Sequence, residues 1–211
     1  MSARSVAESF WATVQRHARW GRPQARDASR GNAVRAAEAD ALRQLDAIRA
    51  QCRALVTRRA SLSAGAAIIP IPGLELGTDV AILLKLLPQI NEKFGLTPAQ
   101  IDALDIDTKR IVLVLVSGVG SGLVGRLITK GLVIKVLQKI GVRLTAQGVV
   151  KYVPLLGQAL SASISFGAMK MLGNKHVDDC YEVARRAVLE THQGARTSND
   201  ETLRGEWTLM P

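Results

Sequence analysis

The chain has 211 residues, a formal net charge of +10 and an apolar fraction of 47%, while aromatic residues make up only 4%. This length is sufficient for one core, and the composition makes that core aliphatic. Cys52 and Cys180 form no CxxC pair, so neither a disulfide framework nor a zinc ribbon is indicated. We expect two reduced core thiols, although a bridge between them stays open.

The first 32 residues are predicted to be a basic arm. Residues 1–20 have the pattern of an amphipathic helix. Its large apolar positions on one side are Val6, Phe10, Trp11 and Val14. Residues 21–32 are polar and contain Gly and Pro, which is typical of a linker. The start of the chain lacks the apolar segment of a secretory signal, so a cytoplasmic location is expected.

A long helix is predicted from residue 33 to about residue 60. Apolar residues recur there at spacings of four and three, which is typical of a helix that packs on another helix. These positions are Ala41, Leu45, Ile48, Cys52 and Leu55.

A break follows at Pro70, Pro72 and Gly73, because two prolines so close together prevent a continuous helix. The next helix is predicted from about Leu74 to Gly95, since a glycine is suited to the residue just past a helix C-terminus.

Thr97 and Gln100 have the spacing of a capping box, which predicts a short helix that ends about five residues later. Asp107 or Thr108 is predicted to cap the following helix, which continues through the glycine-rich segment to about residue 140. Because the two caps lie close together, both helices should be joined by a short turn.

Two last helices are predicted at residues 152–172 and 175–191. The tail at residues 192–211 is polar and has no periodicity, so it is expected to be loose. The sequence therefore predicts an all-α fold, a compact multi-helix bundle with glycine-rich apolar helices, with its helical domain at residues 33–191.

The segment from Arg110 to Lys151 carries seven basic residues and no Asp or Glu, on a background of Leu, Ile, Val and Gly. An ordinary exposed helix face mixes charges of both signs. Apolar residues combined with one-sided positive charge instead suit an anionic membrane. The predicted lipid contacts are Arg126, Lys130, Lys135, Lys139, Arg143 and Lys151.

Residues 120–125 match the GxGxxG pattern of dinucleotide-binding folds. The acidic residue that should follow about 20 positions later is missing, so dinucleotide binding is not favoured. We interpret Gly118, Gly122 and Gly125 as a smooth helix face for close packing.

No catalytic constellation is evident, because the chain has no P-loop, HExxH or GxSxG motif. The three histidines lack metal-ligand spacing, and His176 is interpreted as part of a helix-start cluster with Asp178 and Asp179. Asp79 lies in an otherwise apolar helix and is expected to accept hydrogen bonds from backbone N–H groups near the proline break. The sequence predicts no enzyme, no metal and no cofactor.

The arm contains a series of arginines, which suggests a second surface for an anionic partner. Such an arm can bind nucleic acid or anionic lipid. The stacking aromatic residues of single-strand readers and a complete DNA-binding motif are missing, so nucleic acid is the less favoured partner. The series is Arg16, Arg19, Arg22, Arg26, Arg30 and Arg35.

Uncharged stretches reach at most 18 residues, whereas a membrane span needs about 20. Whether residues 111–125 or 152–169 cross a bilayer therefore stays open.

Two segments together resemble a known helical domain. Residues 64–96 contain a Pro-x-Pro-Gly break, an Asp-containing apolar helix and a Phe-Gly-Leu end; the second segment has Pro154 and Gly157, then a Ser-Phe pair at Ser165 and Phe166. These features resemble the domain that follows the GTPase domain in immunity-related, interferon-inducible GTPases, and they are similar to bacterial EcsC-like helical families. The signature residues are Pro70, Pro72, Gly73, Asp79, Gly95, Pro154, Gly157 and Phe166.

The resemblance covers roughly residues 60–190 and lacks the GTPase domain, so it implies no GTP chemistry for this chain. It implies a helical module that docks on a membrane or on a GTPase partner. The leading hypothesis is a cytoplasmic, membrane-associating, non-enzymatic module. The alternatives are a pore-forming protein and a soluble partner-binding or nucleic-acid-binding protein that uses the arm; the sequence gives no oligomeric state.

Overall fold

The computed structural model describes residues 3–19, 27–67, 74–118, 123–126, 128–136 and 154–207. Within these ranges the chain is helical and contains no strand, which confirms the predicted all-α bundle. The helices are α1 (Ala3–Arg19), α2 (Asp27–Ala67), α3 (Leu74–Phe94), α4 (Pro98–Asp102), α5 (Ile106–Gly118), α6 (residues 130–136) and α7 (Pro154–Trp207).

The two longest helices, α2 and α7, lie side by side and form the largest helix–helix contact. Arg49 contacts Asp178, and Ser63 contacts Ser165, so the two helices run antiparallel. The predicted apolar positions of α2 lie in this interface or beside it, because Ala41, Leu45, Ile48 and Cys52 are buried and Leu55 is half-buried. The remaining helices are arranged around this pair: α3 packs on both, α5 packs on α7, and α1 packs on all three of α2, α3 and α7.

Local sequence signals set several helix ends as predicted. Gly95 ends α3 with a φ of +70°, a conformation that residues with a Cβ rarely adopt. Thr97 caps α4 in a complete capping box: its Oγ1 accepts from the Gln100 backbone N–H, and the Gln100 side chain accepts from the Thr97 N–H.

The predicted cap of α5 was wrong by two residues. Asp105 is the capping residue, because its Oδ1 accepts a hydrogen bond from the backbone N–H of Thr108 at 3.1 Å. Thr108 is itself buried. Ile106 directly after Asp105 begins the helix, so Thr108 is its third residue, and the backbone N–H of that position is the one that a capping side chain accepts from.

The predicted single helix through the glycine-rich segment was also wrong. α5 ends at Gly118, and Gly125 has a φ of +68°, so it does not lie on a helix face. The adjacent residues Leu123 and Val124 are both buried. The backbone carbonyl of Leu123 accepts from Asn91 Nδ2 at 3.5 Å, so α3 satisfies part of the non-helical backbone here.

Three predicted helix boundaries, in the linker, near Gly173 and at the start of the tail, were wrong, because helices continue through them. α2 begins at Asp27, inside the predicted linker, and α7 runs unbroken through the predicted break near Gly173. A Cβ at Gly173 would lie 2.7 Å from Val56 Cγ1, so this glycine serves close contact between α2 and α7. α7 also continues to Trp207, and His192, at the start of the predicted loose tail, is buried.

Candidate functional site

An apolar strip on the outer side of α5 is exposed. Ile106, Leu113 and Val114 have relative exposures of 85%, 48% and 65%. Together with Arg110 and Ser117 they fall within about 100° of arc on the helix, and we call these five residues the α5 face. The opposite side, with Thr108 and Val112, is buried against the bundle. α5 therefore packs by one side and presents a second apolar side to solvent.

Basic side chains follow the α5 face along the chain. Gly125 packs beside Val116 of α5, which places Arg126 next to the last turns of this helix. Arg126, Lys130 and Lys135 are all exposed. Within the described residues none of the three has a carboxylate in ion-pair contact. An isolated ammonium or guanidinium group of this kind remains available to an external anion.

The α6 segment orients its two lysines outward. Val133 is fully buried, Gly131 and Lys135 are exposed on the opposite side of the helix, and Lys130 is exposed at its first residue. Thr129 Oγ1 accepts from the Leu132 N–H at 3.3 Å and so supports the first turn. The other three predicted lipid contacts, Lys139, Arg143 and Lys151, lie outside the described residues.

The sequence indicated the basic part of this surface but not the apolar part. Leu113 and Val114 were predicted only as part of a long apolar helix, and Ile106 was placed before its cap, because an apolar run by itself does not reveal which side meets the bundle. Their spacing of seven and one, with Arg110 between them, is the signal that places them beside a charge.

A cleft of about 270 Å³ lies between α5 and α7, next to the α5 face. Val114 and Leu115 form one wall, and Asp179, Glu182 and Arg186 form the other. Its charges are already paired: Arg186 Nε donates to Glu182 at 2.6 Å, and Lys175 pairs with Asp179. The cleft therefore has no net charge that would select an ion.

The resemblance signatures converge at a polar junction among α2, α3 and α7. The Asp79 carboxylate accepts hydrogen bonds from Ser63 and from Ser165, the latter at 3.0 Å to Oδ2. The two hydroxyl oxygens are 2.7 Å apart, and both serines are buried. The described partners of Asp79 are thus side chains from two other helices, while the proline break whose backbone N–H groups were predicted to donate lies outside the described residues.

The remaining signature residues have different positions. Pro154 is the first residue of α7 and Gly157 follows in its first turn. Phe166 is half-buried, with Lys170 Nζ 5.5 Å from its ring centroid. Pro70, Pro72 and Gly73 lie outside the described residues.

His176 lies in the middle of α7 and is fully buried, so its assignment to a helix start was wrong. Burial lowers the pKa of this imidazole to about 4, despite the nearby Asp179 carboxylate, so it is neutral near pH 7. Its Nε2 is 3.8 Å from the Cys180 sulfur, and burial raises the Cys180 pKa. No metal-binding group of three such side chains occurs within the described ranges.

The outer edge of the α2–α7 interface is held by paired charges. Asp178 accepts from Arg49 at 2.7 Å and from Arg53 at 2.9 Å. Burial would raise the pKa of Asp178, but the two guanidinium groups outweigh it and lower this pKa. Tyr181 donates to Asp46 at 2.7 Å, and its ring lies 4.4 Å from the Arg49 guanidinium carbon.

Among the residues that the structure describes, no helix has the length and hydropathy that a bilayer crossing requires. Comparisons with protein families, with curated proteins and with solved structures give no match to this chain.

Proposed function

We propose that this protein is a helical module that docks on the surface of an anionic membrane through the α5 face and the basic side chains that follow it. The observation that carries the proposal is the combination of Ile106, Leu113 and Val114 with Arg126, Lys130 and Lys135. All six side chains are exposed. An apolar strip can enter the lipid interface while the flanking cations contact head groups.

The charge pattern supports lipid over a protein partner of mixed charge. From Arg110 to Lys151 the sequence has seven basic residues and no acidic one. Each basic side chain near an anionic bilayer contributes about 1 kcal/mol to binding. Three such contacts correspond to about a hundredfold in affinity.

A charge-reversal experiment tests the proposal. The full chain carrying Arg126→Glu, Lys130→Glu and Lys135→Glu is compared with the wild type for flotation with phosphatidylglycerol vesicles. The matched control carries Arg58→Glu, Lys85→Glu and Arg185→Glu, three exposed positions on α2, α3 and α7 with the same change in net charge.

We expect the first variant to lose about two orders of magnitude in affinity, because three attractive contacts are removed. The control should lose much less. Equal losses in both variants would mean that net charge, and not this surface, governs binding. Release of a dye from the vesicles would replace docking by the pore-forming alternative.

A further inference from the structure

α1 is attached to the bundle by one side only. Ala7, Phe10, Trp11 and Val14 are buried, while Arg16, which follows on the other side, is exposed. This burial confirms the amphipathic pattern of the first 20 residues. The buried side includes two of the few aromatic residues of the chain, packed edge to face at a centroid distance of 5.2 Å.

Trp11 packs against the C-terminus of α3, at Phe94 and Gly95, and we call this contact the Trp11 seat. The indole N–H donates to the Phe94 backbone carbonyl oxygen at 3.0 Å. A Cβ at Gly95 would lie 2.3 Å from Trp11 Cδ1, far inside van der Waals contact. The ring can therefore lie here only because residue 95 is glycine, and the same glycine ends α3.

The other flank of α1 is loosely packed. A cleft of about 200 Å³ separates α1 from α4, with Ala12 on one wall and Ala99 and Ala103 on the other. Gln15 also lines this cleft, and its Nε2 is buried without a hydrogen-bond partner. An unfilled gap and an unsatisfied donor both weaken the hold of the bundle on this helix.

The composition of α1 suits a lipid interface as well as the bundle. Its sequence contains Arg4, Arg16 and Arg19 against a single acidic residue, Glu8. Trp and Phe on the apolar side with Arg on the polar side is the pattern of a helix that lies in a membrane surface. The positive charge of α1 is complementary to the same anionic surface that the α5 face is suited to contact.

We propose that α1 is a releasable arm: its apolar face binds either the bundle, through the Trp11 seat, or an anionic membrane, and the two states exclude each other. The same side chains serve both contacts, so release from the bundle is required before lipid is bound. This inference rests on the proposed membrane docking. It adds a second lipid contact, which is buried in the bundle until α1 is released. Any surface that binds only the released state draws the equilibrium toward it.

Gly95→Ala tests the arm without changing any residue of α1. The added methyl group collides with the Trp11 ring and should release the arm. If about a tenth of the wild type has α1 released, Gly95→Ala should bind phosphatidylglycerol vesicles about tenfold more tightly. Gly167→Ala controls for the added methyl group, because a Cβ at Gly167 meets nothing within 4 Å. Gly125→Ala, at a φ of +68°, controls for the strain of a Cβ in the left-handed region.

A locked variant tests the opposite state. Ala12→Cys and Ala103→Cys, which face each other across the cleft, are joined by a short bis-maleimide. The native thiols should not react, since Cys52 and Cys180 are buried and burial raises both pKa values. With Trp20→Phe and Trp207→Phe in every protein, Trp11 is the sole reporter of contact with brominated lipid.

We expect brominated lipid to quench Trp11 in the wild type and more strongly in Gly95→Ala, and to leave it unquenched in the locked variant, which should bind more weakly. If the wild type binds and locking changes neither binding nor quenching, the arm is overturned while membrane docking stands. If no protein in the set binds, both proposals fail. If Gly95→Ala does not fold, as judged by circular dichroism, the comparison of locked with unlocked protein decides alone.

Discussion

The α2–α7 interface and the outer surface of α5 and α6 differ in whether their basic side chains are paired with carboxylates. In the first region Leu45 of α2 is fully buried in the core, and the cations at the edge are paired, as in Arg49 and Arg53 with Asp178. On the outer side of α5, Leu113 is 48% exposed, and the basic side chains that follow have no carboxylate in contact within the described ranges. The buried and paired side chains of the first region stabilise the bundle. The exposed apolar and basic side chains of the second region remain available to contact a partner.

The largest difference between the two regions should appear when a leucine is truncated. Leu45→Ala should lower the free energy of unfolding by about 2–5 kcal/mol, because it leaves a cavity in the core. Leu113→Ala should lower it by about 0.5 kcal/mol or less, because the side chain is already half in water. Urea denaturation followed by circular dichroism measures both. Similar losses at the two sites would mean that the α5 face is part of the core.

A smaller effect is expected from the titration of His176 in the core. The pKa of His176 is lowered to about 4 in the folded protein, against an ordinary value of 6.5. Between these values the unfolded chain binds a proton that the folded chain does not, so stability is present above about pH 6.5 and is lost as the pH falls toward 4. For this group the loss between about pH 7.5 and about pH 5 is about 2 kcal/mol.

The measurement is urea denaturation at those two pH values for the wild type and for His176→Gln. The variant should be less stable near neutral pH and should lose about 2 kcal/mol less on acidification, because it cannot take up the proton. Asp178, whose pKa is also lowered, contributes an acid loss to both proteins and cancels in the difference. Parallel pH profiles would show that His176 is not the titrating group.

The smallest effect is expected at the exposed edge of the α2–α7 interface. Tyr181→Phe removes the hydrogen bond to Asp46 but keeps the ring that Arg49 stacks on. The free energy of unfolding should fall by less than about 1 kcal/mol, because water replaces the lost partner. A loss as large as that of Leu45→Ala would show that this polar edge, and not the apolar interior, holds the two helices together.

Features with a local cause were predictable from the sequence. The apolar spacing of α2, the buried side of α1 and the capping box at Thr97 depend on residues within a few positions of one another, and each was confirmed. Features that depend on distant residues were not. Gly173 was predicted to break a helix, yet α7 continues through it. A glycine is needed at this position because a Cβ would collide with Val56 of α2.

The candidate site shows the same division. Asp79 was recognised as unusual, but its partners Ser63 and Ser165 lie 16 and 86 residues away, and no spacing rule connects them. The basic residues were visible as a one-sided charge run. The exposure of Leu113 and Val114 was not, since it depends on which side of α5 faces α7.

The most direct test of membrane docking is flotation of the wild-type chain with phosphatidylglycerol vesicles and with phosphatidylcholine vesicles at increasing salt. We expect binding to the anionic vesicles only, with release as salt screens the contacts between basic side chains and head groups. Equal binding to both lipids, or no binding to either at low salt, would contradict the proposed docking.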